Sequence, residues 1–191
     1  MKKVFLCVVF AVMASGVFAQ EAGKVRGGFN IGPVFQGIGV TTDLQLGYNL
    51  QDNMNVGIKL ALAAMGKVDP AGERASAAIS YNFLGTFTYF LDLGGSFAPF
   101  VGAGMGIYTI SSAAGGADWA VVGDVADNKF GGMLTAGFEI KRFRVGLEYN
   151  LIPGTKVKFV GVGPRPADFD DKITNSYLAA TIGFYIGGGK R

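Results

Sequence analysis

Residues 134–151 read LTAGFEIKRFRVGLEYNL. Leu134, Ala136, Phe138 and Ile140 alternate with Thr135, Gly137 and Glu139. After Lys141-Arg142 the alternation resumes, with Phe143, Val145, Leu147, Tyr149 and Leu151 set against Arg144, Gly146, Glu148 and Asn150. Side chains repeat every second residue only on a strand. If Lys141-Arg142 is a two-residue turn, Ile140 opposes Phe143, Phe138 opposes Val145, Glu139 opposes Arg144 and Thr135 opposes Glu148. Each pair then sets like against like on one face, whereas a slip of one residue would mix the faces. The stretch predicts an antiparallel hairpin with one greasy and one polar face, and it places an acid opposite a base beside the turn.

The same period recurs along the chain. Leu44, Leu46, Tyr48 and Leu50 alternate with Asp43, Gln45, Gly47 and Asn49; Val56, Ile58, Leu60 and Leu62 alternate with Asn55, Gly57, Lys59 and Ala61. Eight strands are expected, at 24–34, 40–50, 54–64, 74–91, 97–110, 130–140, 143–152 and 172–186. Most are longer than the five or six residues usual in soluble sheets, and a tilted strand needs about 9–11 residues to cross a bilayer. Gln51-Asp52-Asn53, Asp92 to Ser96 and Lys141-Arg142 read as short turns, and 65–73, 111–129 and 152–171 as long loops. An even number of strands with turns at one end and loops at the other is the pattern of outer-membrane barrels.

The start of the chain, MKKVFLCVVFAVMASGVFAQ, has a basic beginning, an apolar run from Val4 to Ala14 and small residues around Ala19. It reads as a cleaved secretory signal over residues 1–19, with residues 20–191 as one barrel domain. The apolar run is too short to serve as a spanning helix, which needs about 20 residues. Two of the 17 Lys and Arg lie in this leader and none of the 14 Asp and Glu, so the remainder is close to neutral at +1. That balance gives no basic footprint for nucleic acid. The single cysteine, Cys7, belongs to the leader, so no disulfide framework is expected. Glycine, at 31 of 191 residues, is about twice its usual share, and charged residues make up only 16%.

Two barrels fit such a chain. A soluble periplasmic carrier turns its greasy face inward, and a membrane barrel turns it to lipid. Here the greasy face carries Phe, Tyr, Leu and Ile while the polar face carries Gly, Ser, Thr, Ala and Asn. Eight strands leave an interior just wide enough for side chains to fill, so the bulky face is expected outside. The expected architecture is all-β: an eight-stranded antiparallel up-and-down transmembrane β-barrel. In residues 100–106, FVGAGMG, the glycines are then expected on the inner wall, making room under Phe100 or Tyr108 or letting the strand bend. A phosphate cradle would need a third glycine where Ile107 stands, followed by a helix. A helical span across the uncharged window 93–117 would leave the alternation elsewhere unexplained.

On the strand FAPFVGAGMGIY, the hairpin TAGFEIKRFRVGLEYNL and the last strand NSYLAATIGFYIG, the sequence resembles the small eight-stranded outer-membrane barrels, the group around outer-membrane proteins A and X. The resemblance covers about Lys24 to Ile186. It implies the outer membrane of a diderm bacterium, both termini periplasmic, and as partners the membrane lipids and the outer-membrane insertion machinery. It also implies a monomer. Such barrels often end on an aromatic residue, whereas this chain adds GGGKR after Ile186.

The chain has no histidine, so Ser-His-Asp and Cys-His arrangements cannot be built, and the usual zinc sites lack ligands. No enzyme activity, cofactor or metal is expected. Asp168, Asp170 and Asp171 could hold calcium through oxygens, but a solvated loop is preferred, as it is for Asp118, Asp124 and Asp127. Parity assigns Arg26, Asp43, Lys59, Glu139, Arg144 and Glu148 to an inward-facing charged network, three bases and three acids. They are expected to pair and plug the lumen, with Glu139–Arg144 the pair fixed by the turn. Tyr48, Tyr89, Phe143 and Phe184 are expected on the lipid face towards the periplasm. The expected role is envelope structure or surface interaction. A narrow pore or small-molecule path is the first alternative, and a soluble carrier the second; the loops name no ligand.

Overall fold

The computed structural model describes residues 21–191 except 36, 69–73, 92–95, 117–118, 121–126, 162–168, 174 and 189–191. The leader, Asp118, Asp124, Asp168 and the end of the tail therefore lie outside the described residues.

Long alternating runs rich in Val, Ile, Phe and Tyr form strands because branched and aromatic side chains pack well on a pleated surface. Among the described residues there are eleven strands: β1 (Val25–Val34), β2 (Ile38–Gln51), β3 (Met54–Val68), β4 (Arg74–Phe90), β5 (Phe97–Gly116), β6 (Trp119–Ala120), β7 (Asp127–Ile140), β8 (Phe143–Leu151), β9 (Thr155–Gly161), β10 (Phe169–Ile173) and β11 (Tyr177–Gly187). Eight of them close a ring. Each of β1 to β4 pairs with the next, β5 pairs with β7, β7 with β8, β8 with β11, and β11 returns to β1, all antiparallel. The remaining three extend the sheet sideways from the top of β5, in the order β6, β9, β10.

The hairpin that decides the fold has the expected register. Ile140 faces Phe143, Glu139 faces Arg144, Phe138 faces Val145 and Thr135 faces Glu148. Lys141 takes φ +57°, the left-handed conformation that a two-residue hairpin needs at its first turn position. Differences appear at the opposite end of the barrel. Residues 65–68, 111–116 and 127–129, expected in loops, continue as strand, and the last strand begins at Tyr177 because residues 169–173 pair with β9 instead. Ladders extend wherever a neighbour offers partners, and turn composition alone does not show where that stops.

The greasy face is outside. Leu46 is 54% exposed and Ile58 43%, while Lys59 is 2% and Glu139 6% exposed. This orientation overturns the soluble-carrier alternative, which needs those faces exchanged. The glycines of β5 correct another expectation. A Cβ at Gly102 would meet Thr135 and Thr88, and one at Gly106 would meet the backbone of β4. The glycines under Phe100 are Gly137 and Gly146, and the one under Tyr108 is Gly131, so the room for each large ring comes from neighbouring strands.

The first and last described residues, Glu21 and Gly188, lie at the end that carries the turns 52–53 and 141–142. There the segment Glu21–Lys24 is laid along the rim. The N–H of Glu21 donates to the carbonyl of Gly188 (2.5 Å), that of Gly23 to Asn49 (2.8 Å), and that of Ala22 to Asp52 Oδ1 (2.8 Å).

One rung is missing where β11 meets β1. The N–H of Phe35 donates to the carbonyl of Leu178 at 2.9 Å. Two residues earlier the same ladder would bring Pro33 to Ala180, but proline has no N–H. The Ala180 carbonyl lies instead over Gly32, so close that a Cβ there would overlap it, an arrangement that a Cα–H···O contact suits. Gly32→Ala is expected to destabilise the folded barrel by about 2 kcal/mol through this overlap. Gly27→Ala, whose Cβ would meet only the carbonyl of Gln45 at 3.9 Å, should change it by under about 0.5 kcal/mol. Urea unfolding midpoints in lipid vesicles check both.

Candidate functional site

Every even position of β1 points inward, and so do the odd positions of β2 and β3 between Asp43 and Lys59. The even positions of β8 and the odd positions of β7 and β11 do the same. This parity brings the six charged residues named above into one lumen, all 6% exposed or less.

They form two clusters. Towards the end with the termini, Arg26 and Arg144 share Glu139: Arg26 Nη2 lies 2.7 Å from Glu139 Oε1, and Arg144 reaches the same oxygen through Nε and Nη2, each at 2.7 Å. Both guanidiniums are walled by aromatic rings. Arg26 lies 4.4 Å from the Tyr185 ring centre and Arg144 4.2 Å from that of Phe100 and 4.3 Å from that of Tyr185. Cation–π attraction is strongest where water is excluded. Further along the axis, Lys59 Nζ lies 2.5 Å from Glu148 Oε2 and 3.1 Å from Asp43 Oδ2. The first cluster carries a net +1 and the second a net −1, and together they are neutral.

Uncharged groups join the two. Gln45 Nε2 donates to Asp43 Oδ1 (3.0 Å), and Gln45 Oε1 accepts from Arg144 Nη1 (3.4 Å). The Tyr185 hydroxyl accepts from Arg144 Nη1 (3.1 Å) and from Asn30 Nδ2 (2.9 Å), and Asn30 Nδ2 also donates to Asp43 Oδ1 (2.7 Å). Sequence reasoning missed Asn30 and Tyr185, and also Phe90, whose ring centre lies 5.4 Å from Arg26. The signal was present, since Asn30 is four residues from Arg26 and Tyr185 follows the outward Phe184, but these side chains are uncharged and parity alone does not tie them to the ion pairs. Polar pairs continue at both ends: Asn55 donates to Asn49 (2.8 Å), and Asn82 donates to the Tyr177 hydroxyl (3.1 Å). Tyr108 donates to Asn150 (2.9 Å). Above the Lys59 cluster the axis is filled by an apolar group that includes Val34, Leu84, Tyr108, Ile110, Met133 and Tyr177.

Of the loop carboxylates, Asp127 begins β7 and pairs with Lys129 at 2.9 Å. Among the described residues no three Asp or Glu gather as a metal site.

The lumen is thus packed and polar, the ladder is closed and the outer wall is greasy. Against solved structures, the chain superposes on the outer membrane protein OprG from Pseudomonas aeruginosa with a TM-score of 0.50 and 15% identity, over 90% of this chain and 99% of that one. This chain has the fold of the small outer-membrane β-barrels. Neisserial surface protein A aligns with a TM-score of 0.49 and 12% identity, over 85% of this chain and 97% of that one. The outer membrane enzyme PagL aligns with a TM-score of 0.43 and 16% identity, over 84% and 98%. No family model matches the chain, and no curated protein sequence is similar to it.

Lys59 bridges Asp43 and Glu148, and removing one partner of a buried ion pair costs about 3–5 kcal/mol. Lys59→Met should lose stability of that order. The triple variant Lys59→Met, Asp43→Asn, Glu148→Gln should recover part of it, because no bare charge remains buried. Unfolding of the two variants side by side in vesicles measures the difference.

Proposed function

We propose that this protein is a non-enzymatic structural barrel of the outer membrane, with a lumen sealed by its own ion pairs and with surface loops free to meet ligands or other cells. The observation that carries the reading is the pairing of opposites across one wall: exposed Leu, Ile and Phe outside, and six mutually compensated charges inside. A charge on a lipid-facing position near the midplane would cost about 2–4 kcal/mol for Lys or Arg, and none of these six takes one. Both termini lie on the periplasmic side, with the short turns, and the longer connections face outward, as barrels of this shape are arranged. Catalysis is disfavoured by a chain without histidine.

Apolar residues such as Tyr108, Ile110 and Met133 close the axis beyond the charges, which supports a plug over a pore. In planar bilayers the protein should therefore give no steady single-channel openings. Steady openings that change with Arg144→Ala would establish the conducting alternative instead. Insertion itself is checked by heat-modifiable gel mobility, and sidedness by protease access to a tag placed after Arg191.

A further inference from the structure

The connection between β1 and β2 is unlike the others at its end of the barrel. It consists of three residues, 35–37. Its flanks are greasy: Phe35 is 56% exposed and Ile38 87%. Between Val25 and Leu50 the charged residues are Arg26 and Asp43, and both are buried in the lumen. In sequence, the connections between β3 and β4 and between β5 and β7 hold charges, such as Glu73 and Asp118.

The length of β2 gives the height of this turn. Its outward apolar positions run from Leu50 to Ile38, about 40 Å along the strand and, at a tilt near 45°, about 28 Å along the membrane normal. That matches an apolar band about 25 Å tall. If the band begins at Leu50, it ends at the turn. On β5 the band stops lower relative to the strand: Ile107 is followed on the same face by Thr109 and Ser111 while the strand runs on to Gly116. The barrel rim is therefore uneven, low at β1–β2 and tall at β4–β5.

We propose that the β1–β2 turn is a lipid-binding surface, seated in the upper acyl and headgroup boundary of the leaflet on the loop side, with Phe35 and Ile38 as its anchors. The occupant is membrane lipid, because the outward face of β1 runs through Phe29, Ile31 and Pro33 to Phe35 as one apolar stripe continuous with the lipid-facing belt, and the patch offers no charge to a soluble partner. The inference rests on the membrane-spanning reading above.

Tryptophan placement tests it. In a Trp119→Phe background, which leaves no native tryptophan, Ile38→Trp and Leu44→Trp are each folded into phosphatidylcholine vesicles. One set of vesicles has bromine near the top of the acyl chains and another has it near the end. Folding is verified by gel mobility, and Phe35→Trp replaces Ile38→Trp if that variant does not fold. The turn variant should show blue-shifted emission and a larger loss with the shallow bromine, and Leu44→Trp, at mid-band, a larger loss with the deep one. Quenching at Leu44 together with water-like, unquenched emission at the turn overturns this inference and leaves the membrane reading standing. No quenching at either site overturns both.

Discussion

A strand surrounded by hydrocarbon has no water to take up an unpaired N–H or carbonyl, so its neighbours must supply every partner. In this chain that requirement closes the ladder from β11 back to β1. Closure in turn gives the wall two faces with opposite surroundings. Once the ring exists, the two-residue period decides everything else: which residues meet lipid, which fill the axis, and which charges are forced together. The lumen is a consequence of the hydrogen-bonding demand as much as of the side chains that occupy it.

Within that lumen the charges form a graded arrangement along the axis. Two guanidiniums converge on a single carboxylate oxygen and rest on aromatic rings, while one ammonium bridges two carboxylates nearby. Each cluster leaves one unit of opposite sign, and Gln45, Asn30 and Tyr185 connect them. Buried ions of this kind contribute little net stability against an apolar core, but losing one member is costly.

Much of this was legible in the residues. The Lys141-Arg142 turn fixed the pairing of Glu139 with Arg144, and a slip of one residue would have mixed the faces. Parity carried the six charges inward for the same reason. What was not legible depended on several strands at once. The rule that small residues line the lumen is true on average, yet Phe90, Phe100, Tyr108, Tyr177 and Tyr185 also lie there. The rings of Phe100, Tyr108 and Tyr185 are accommodated by glycines on other strands, such as Gly28 beneath Tyr185. The side sheet of β6, β9 and β10 was invisible for a related reason: its partners come from separate long connections, and nothing in their composition announces the pairing.

The segment Glu21–Lys24 is held against Gly188, Asn49 and Asp52 by backbone and side-chain bonds. The first and last described stretches of the chain thereby fasten each other at one rim. Loosening either stretch would therefore free the other, and the seam between β1 and β11 would lose its fastening at that rim.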